Sequence, residues 1–139
     1  MVLWIAKHYW QQQLGYFGYG GTGKQTRDML HIADLYRLVN WQLHNLDKIN
    51  GEILNAGGGL TSSTSLQELT QICQEVTGKI IPIKQVPETR TADIRMYITD
   101  NTKVTRLTGW APQIGVRQIV EDITDWLDNN NKALEPILK

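Results

Sequence analysis

Cysteine is nearly absent: Cys73 stands alone among 139 residues. The chain therefore closes no internal disulfide and builds no cysteine-rich metal site. Cys73 falls at an apolar position of a helical pattern, where a packed thiol is expected rather than a nucleophile. Charge of one sign is also missing, since fourteen Lys and Arg balance fourteen Asp and Glu. A nucleic-acid surface would show a clustered basic excess. No stretch approaches the roughly 18 consecutive apolar residues of a membrane span. The opening MVLWIAKHYW carries neither the basic region nor the small-residue cleavage site of a signal peptide. The expectation is a cytoplasmic chain with neither nucleic acid nor membrane as partner.

Catalytic arrangements are missing too. A lysine one helical turn after a tyrosine can lower the phenol's pKa for proton transfer. The tyrosines at 9, 16, 19, 36 and 97 are followed at that spacing by Gln13, Gly20, Gly23, Asn40 and Asn101. His8, His31 and His44 form no H-x-x-x-H pair and have no acidic partner at metal-ligand spacing. No G-x-S-x-G nucleophile elbow occurs. The residues alone assign no catalytic group and no metal ligand.

What is present centres on residues 18–31, GYGGTGKQTRDMLH. Gly18, Gly20 and Gly23 spell G-x-G-x-x-G, and Gly18 with Gly23 and Lys24 spells G-x-x-x-x-G-K. Each pattern implies a glycine loop whose N–H groups surround a phosphate at a helix start. Gln25 stands where the second motif needs a metal-holding Ser or Thr. The first motif should follow a buried strand and open an apolar helix, whereas LGYF precedes it and KQTRD follows. Neither cofactor motif is complete.

Periodicity predicts an α/β chain of few short strands and four main helices. Helices are read over 2–13, 32–46, 66–77 and 116–129, with a shorter one over 100–107. For 66–77, Ser65 and Glu68 form a capping box and Gly78 is a stop. Strands are read at 14–17, 52–55 and 79–86, the last with Pro82 marking an edge or strand end. Residues 61–65, TSSTS, read as a loop.

Two arginine-centred clusters remain, Arg27-Asp28 and Arg90-x-x-Asp93. An arginine in a turn-rich loop presents its donor fork to a phosphate bidentately. An aspartate three residues on can accept from sugar hydroxyls. Surface or interdomain ion pairs explain the same residues, and composition alone favours that explanation.

Order along the chain adds a further signal. F-G-x-G…R-D-x-x-H spans 17–31, N-x-G-x-G spans 55–59 and S-x-x-E-L spans 65–69. R-x-x-D at 90–93 and G-W-x-P at 109–112 complete the series. From about residue 14 onward the chain resembles the substrate-binding half of the extended short-chain dehydrogenases/reductases, the nucleotide-sugar epimerases and dehydratases. The resemblance implies the C-terminal portion of an extended Rossmann-type enzyme, with residues 1–139 as a single partial domain and no N-terminal dinucleotide-binding domain. It implies that Arg27 and Arg90 hold a diphosphate, that Asp93 holds a ribose hydroxyl, and that the backbone near Phe17 borders the base. The wording GYGGTGKQTRDMLH, NAGGG and ADIRMYITDN favours those family members that act on CDP-linked sugars. NAD is the cofactor expected of the full-length family, with none expected in this chain. On this reading the chain is not competent for hydride chemistry alone. It is expected to self-associate or to pair with a separate NAD-binding chain. A non-enzymatic nucleotide-diphosphate-binding or assembly module, or an inactive truncated product, are the alternatives.

Overall fold

Residues 66–77 carry the strongest local signals, and they form the helix the sequence predicts in the structure, a computed structural model that describes every residue except position 90. Ser65 Oγ accepts from the Glu68 N–H at 3.2 Å, and the Glu68 carboxylate accepts from the Ser65 N–H at 2.8 Å. Gly78 closes the helix in a left-handed conformation. Such a cap contributes about 1 kcal/mol.

In chain order the elements are α1 (Val2–Tyr9), β1 (Leu14–Phe17), β2 (Thr26–Asp28), α2 (Ile32–Leu43), α3 (Leu46–Ile49) and β3 (Ser63–Ser65). Then follow α4 (Leu66–Thr77), β4 (Ile83–Val86), β5 (Met96–Tyr97), α5 (Thr102–Thr108), α6 (Val116–Asn129) and α7 (Asn131–Leu138). Seven helices and a few short strands among the described residues make this an α/β chain. None of these helices is long and apolar enough to cross a membrane.

The chain divides into two units, of which the first comprises Met1–Gln25, Ser65–Arg95 and Arg117–Lys139. In it β1 and β4 pair in parallel, Leu14 opposite Ile83 and Phe17 opposite Val86. Pro82 sits directly before β4, where its missing N–H removes no ladder bond. Ile5 and Ala6 of α1, Leu69 and Cys73 of α4, and Ile119, Val120 and Leu127 of α6 are buried in this unit. Trp4 stacks on Tyr16 with ring centroids 5.9 Å apart. Their polar ends share one acceptor: Tyr16 Oη donates to Thr70 Oγ1 at 2.9 Å and Trp4 Nε1 donates to it at 3.3 Å. Burying two large rings is thereby reconciled with their hydrogen-bonding needs.

The second unit comprises Thr26–Thr64 and Met96–Val116. Its strands lie in the order β3-β2-β5, with Thr26 opposite Met96 and Arg27 opposite Tyr97 in parallel register. Leu38, Val104 and Trp110 form its core, with Leu30, Leu54 and Ala56 packed against them. Asp34, in the first turn of α2, is fully buried. Its carboxylate accepts from the N–H groups of Gln113 at 3.1 Å and Ile114 at 3.0 Å and pairs with Arg37. The Asp34 carbonyl accepts from Trp110 Nε1 at 2.8 Å. One residue thus fixes the G-W-A-P segment over the core. The glycine run 57–59 has a steric cause: a Cβ on Gly58 would lie 2.1 Å from the Met29 carbonyl oxygen.

Several sequence expectations are corrected. Residues 52–55 form no strand. The Ile53 carbonyl accepts instead from Lys103 Nζ at 2.9 Å and the Glu52 N–H donates to the Ile49 carbonyl, while Ile53 itself is exposed. Residues 61–65, read as a loop, form part of a 3-10 turn and then β3. The helix expected over 2–13 stops at Tyr9, and Gln11 adopts a positive φ of 54°. The helix expected over 32–46 ends at Leu43, leaving Leu46 to begin α3. Along α2 the apolar residues Ile32, Leu35, Tyr36, Val39 and Leu43 are exposed, whereas Leu38 alone of its large apolar side chains is buried.

Two outcomes follow for stability. Asp34→Ala removes the acceptor of two backbone N–H groups and strands the Arg37 partner, so urea unfolding should register a loss of about 3 kcal/mol. Burial pushes the Cys73 thiol up to about 12. A thiol reagent at pH 8 should leave the native chain unlabelled and react fully once denaturant is added. The folded state favours the protonated thiol. The corresponding stability is therefore complete below the unfolded thiol's ordinary pKa and is lost as pH climbs from there toward 12.

Candidate functional site

In the first unit β1 ends at Phe17, and the chain leaves it through Gly18 at φ 78°, ψ 168°, a conformation essentially confined to glycine. The Gly18 N–H donates to the Val86 carbonyl at 2.8 Å, extending the contact between β1 and β4 past their paired residues. The Gly20 N–H donates to the Pro87 carbonyl and the Gly21 N–H to the Gly18 carbonyl. These three N–H groups are engaged by carbonyls rather than turned toward a phosphate, and the loop runs into β2, not into a helix. The two phosphate motifs read in the sequence are resemblances of spelling, not of geometry.

Tyr19 takes a positive φ of 48°, uncommon for a residue with a bulky side chain. Two bonds hold it there: its N–H donates to Thr89 Oγ1 at 2.8 Å and its hydroxyl donates to the Asp93 carbonyl at 2.6 Å. The segment after β4 is thereby tied to the glycine loop. Between them lies a cleft of about 390 Å³ lined by Phe17, Gly18, Glu88, Ala92 and Asp93. The Phe17 ring is 53% exposed and can stack on a planar group. Among the described lining residues, the Glu88 and Asp93 carboxylates are acceptors, which suits hydroxyl or amino donors.

Gln25 underlies this arrangement. It is buried, and its Nε2 donates both to the Phe17 carbonyl and, at 3.4 Å, to Asp93 Oδ2. The departure at position 25 from the Ser or Thr that should follow G-x-x-x-x-G-K was the one signal in the sequence for this residue. Nothing in the sequence pointed to Tyr19.

Of the residues predicted from sequence, Phe17 and Asp93 are brought together as walls of the cleft. Arg27 lies on β2 in the second unit, where its Nη1 donates to the Thr26 carbonyl at 2.8 Å. Arg90 lies outside the described residues. Among the described residues no group of three His, Cys, Asp or Glu is placed to hold a metal ion.

Comparison with known proteins identifies the class. The chain's homologues and structural neighbours are the NAD-dependent nucleotide-sugar epimerases and dehydratases of extended short-chain dehydrogenase/reductase type, and the chain belongs with the C-terminal part of that family. More particularly, it is 33% identical over 110 residues to the CDP-paratose 2-epimerase of Salmonella typhi, a match that covers 79% of this chain and 32% of that protein. The solved UDP-glucuronic acid 4-epimerase of Bacillus cereus, in complex with UDP-glucuronic acid and NAD, shares the fold at a TM-score of 0.77. It is 21% identical, and the match covers 93% of this chain and 40% of that one. An epimerase of Methanothermobacter thermautotrophicus matches with a TM-score of 0.81 at 21% identity, over 99% of this chain and 40% of its own. No family model matches the chain. The chain spans about a third of the length of the curated relative it matches.

Proposed function

We propose that the chain is the substrate-binding portion of a nucleotide-sugar epimerase, taking a nucleoside diphosphate sugar, with a CDP-linked sugar favoured. The observation that carries this reading is the cleft at the carboxyl ends of β1 and β4, where an exposed aromatic ring and a carboxylate face one space. That is where ligands bind in sheets of parallel strands. Phe17 borders the base and Asp93 accepts from a ribose hydroxyl, while Arg27 and Arg90 are assigned to the diphosphate by the resemblance to the nucleotide-sugar epimerases. A guanidinium fork matches phosphate oxygens bidentately, and no carboxylate can replace it there. The likeness to CDP-paratose 2-epimerase supports the choice of base.

Hydride chemistry lies outside these residues. The chain contains no Tyr-x-x-x-Lys pair, and NAD belongs to the longer relatives, several of whose solved structures hold it. The chain by itself binds and does not turn over. A cytoplasmic setting accords with its single buried thiol.

The exposed apolar stripe of α2 supports a second reading, in which the chain assembles with another copy of itself or with a separate NAD-binding chain. Assembly and nucleotide binding are compatible. A purely structural module would keep the first and lack the second.

Calorimetric titration separates these readings. CDP should bind, NAD should not, and Arg27→Ala or Arg90→Ala should each weaken CDP at least about tenfold, as loss of a charge-assisted phosphate contact implies. Absence of CDP binding would leave the assembly module or an inactive product. For assembly, the thermal midpoint should rise with protein concentration. A sharp transition of a strict monomer, unchanged over a hundredfold concentration range, would overturn it.

A further inference from the structure

We propose that Gln25 is the positioning residue of the cleft, its buried amide setting the direction in which the Asp93 carboxylate meets the ribose hydroxyls. The inference rests on the nucleotide reading above and adds to it a residue that contacts no ligand.

An amide nitrogen carries two hydrogens. In Gln25 the two acceptors they meet lie on opposite walls: the Phe17 carbonyl at the end of β1, and Asp93 Oδ2 in the segment after β4. Both acceptors are electron-rich, and the amide gives them a shared donor. Gly18 makes the meeting possible. A Cβ there would lie 3.3 Å from Gln25 Nε2 and 3.4 Å from Asp93 Oδ2, tighter than or at the edge of ordinary contact. Tyr19 meanwhile holds the Asp93 main chain through its carbonyl. The backbone of Asp93 is thus fixed by one side chain and its carboxylate is addressed by another.

The other end of the amide supports a functional constraint. Gln25 Oε1 is buried and, among the described residues, accepts no hydrogen bond. Such a group is costly, and a packed apolar side chain of similar size would avoid the penalty. Retaining glutamine makes sense if its two donors are what the site needs. Glutamate at 25 would put a second negative charge against Asp93. Asparagine falls one methylene short of spanning both walls.

The test compares CDP with 2′,3′-dideoxy-CDP, which lacks the hydroxyls assigned to Asp93, using the whole chain. Native chain should prefer CDP by about tenfold. Gln25→Leu, with Gln25→Met as a second apolar variant should leucine impair folding, should remove most of that preference while leaving dideoxy-CDP affinity within about twofold. On an Asp93→Asn background, Gln25→Leu should change CDP binding no further. Equal weakening of both ligands by the Gln25 variants would reduce Gln25 to a structural role and overturn the proposal. So would full additivity with Asp93→Asn. Equal affinity of the native chain for both ligands would remove the Asp93 contact, and Gln25 with it, while the diphosphate reading stands if Arg27→Ala still weakens both. Failure of both ligands to bind the native chain would overturn the nucleotide reading and, with it, the proposal that rests on it.

Discussion

Parallel pairing of β1 with β4 is the constraint on which the cleft depends. Two parallel strands deliver their carboxyl ends to the same edge, so the loops that follow them must leave as neighbours. Here those loops are the glycine run after Phe17 and the segment after Val86. Their closeness is continued by the Gly18 N–H bonding the Val86 carbonyl and the Gly20 N–H bonding the Pro87 carbonyl. An antiparallel pairing of the same residues would send the two loops to opposite ends of the strands. Phe17 and Asp93, 76 positions apart in sequence, would then share no space.

Each unit then uses one buried polar side chain to organise an irregular segment. In the second unit it is Asp34, whose carboxylate gathers the Gln113 and Ile114 N–H groups while its carbonyl receives Trp110. In the first it is Gln25, whose amide bridges the Phe17 carbonyl and Asp93. Both exploit the same physics: away from water a hydrogen bond is stronger and an unmade one is expensive, so a loop with few apolar contacts can still be fixed in one conformation. Hydrophobic burial supplies the bulk of the stability, and these polar contacts define where the connecting segments run.

Legibility of the fold from sequence followed how local each determinant is. The capping box at Ser65 and Glu68 and the glycine stop at 78 act within one helix, so α4 was readable to its ends. β1 was read with its observed limits because an apolar run between turn residues needs little context. The 52–55 segment has similar spelling, yet a strand exists only with a partner, and Lys103 takes the Ile53 carbonyl instead. β2 and β5 escaped notice because TRD and MY carry no strand pattern of their own and form through one another. α7 was hidden by Pro136 and the preceding asparagines. In the site, Asp93 and Phe17 were legible as residue types in an ordered series of motifs. Tyr19 and Gln25 were not, since their work is to connect segments seventy residues distant.

The division of the chain has a consequence for its response to a protease. The second unit is made of two stretches that end at Val116, whereas the first also draws on α6 and α7. Cleavage after Val116 would therefore leave the residues of the second unit whole and the first with only its α1, α4 and paired strands. Val120 and Leu127, both fully buried, would be lost with the removed helices, and the apolar surface they pack on would meet water. Such a cut would thus yield a polypeptide with one finished half and one open half.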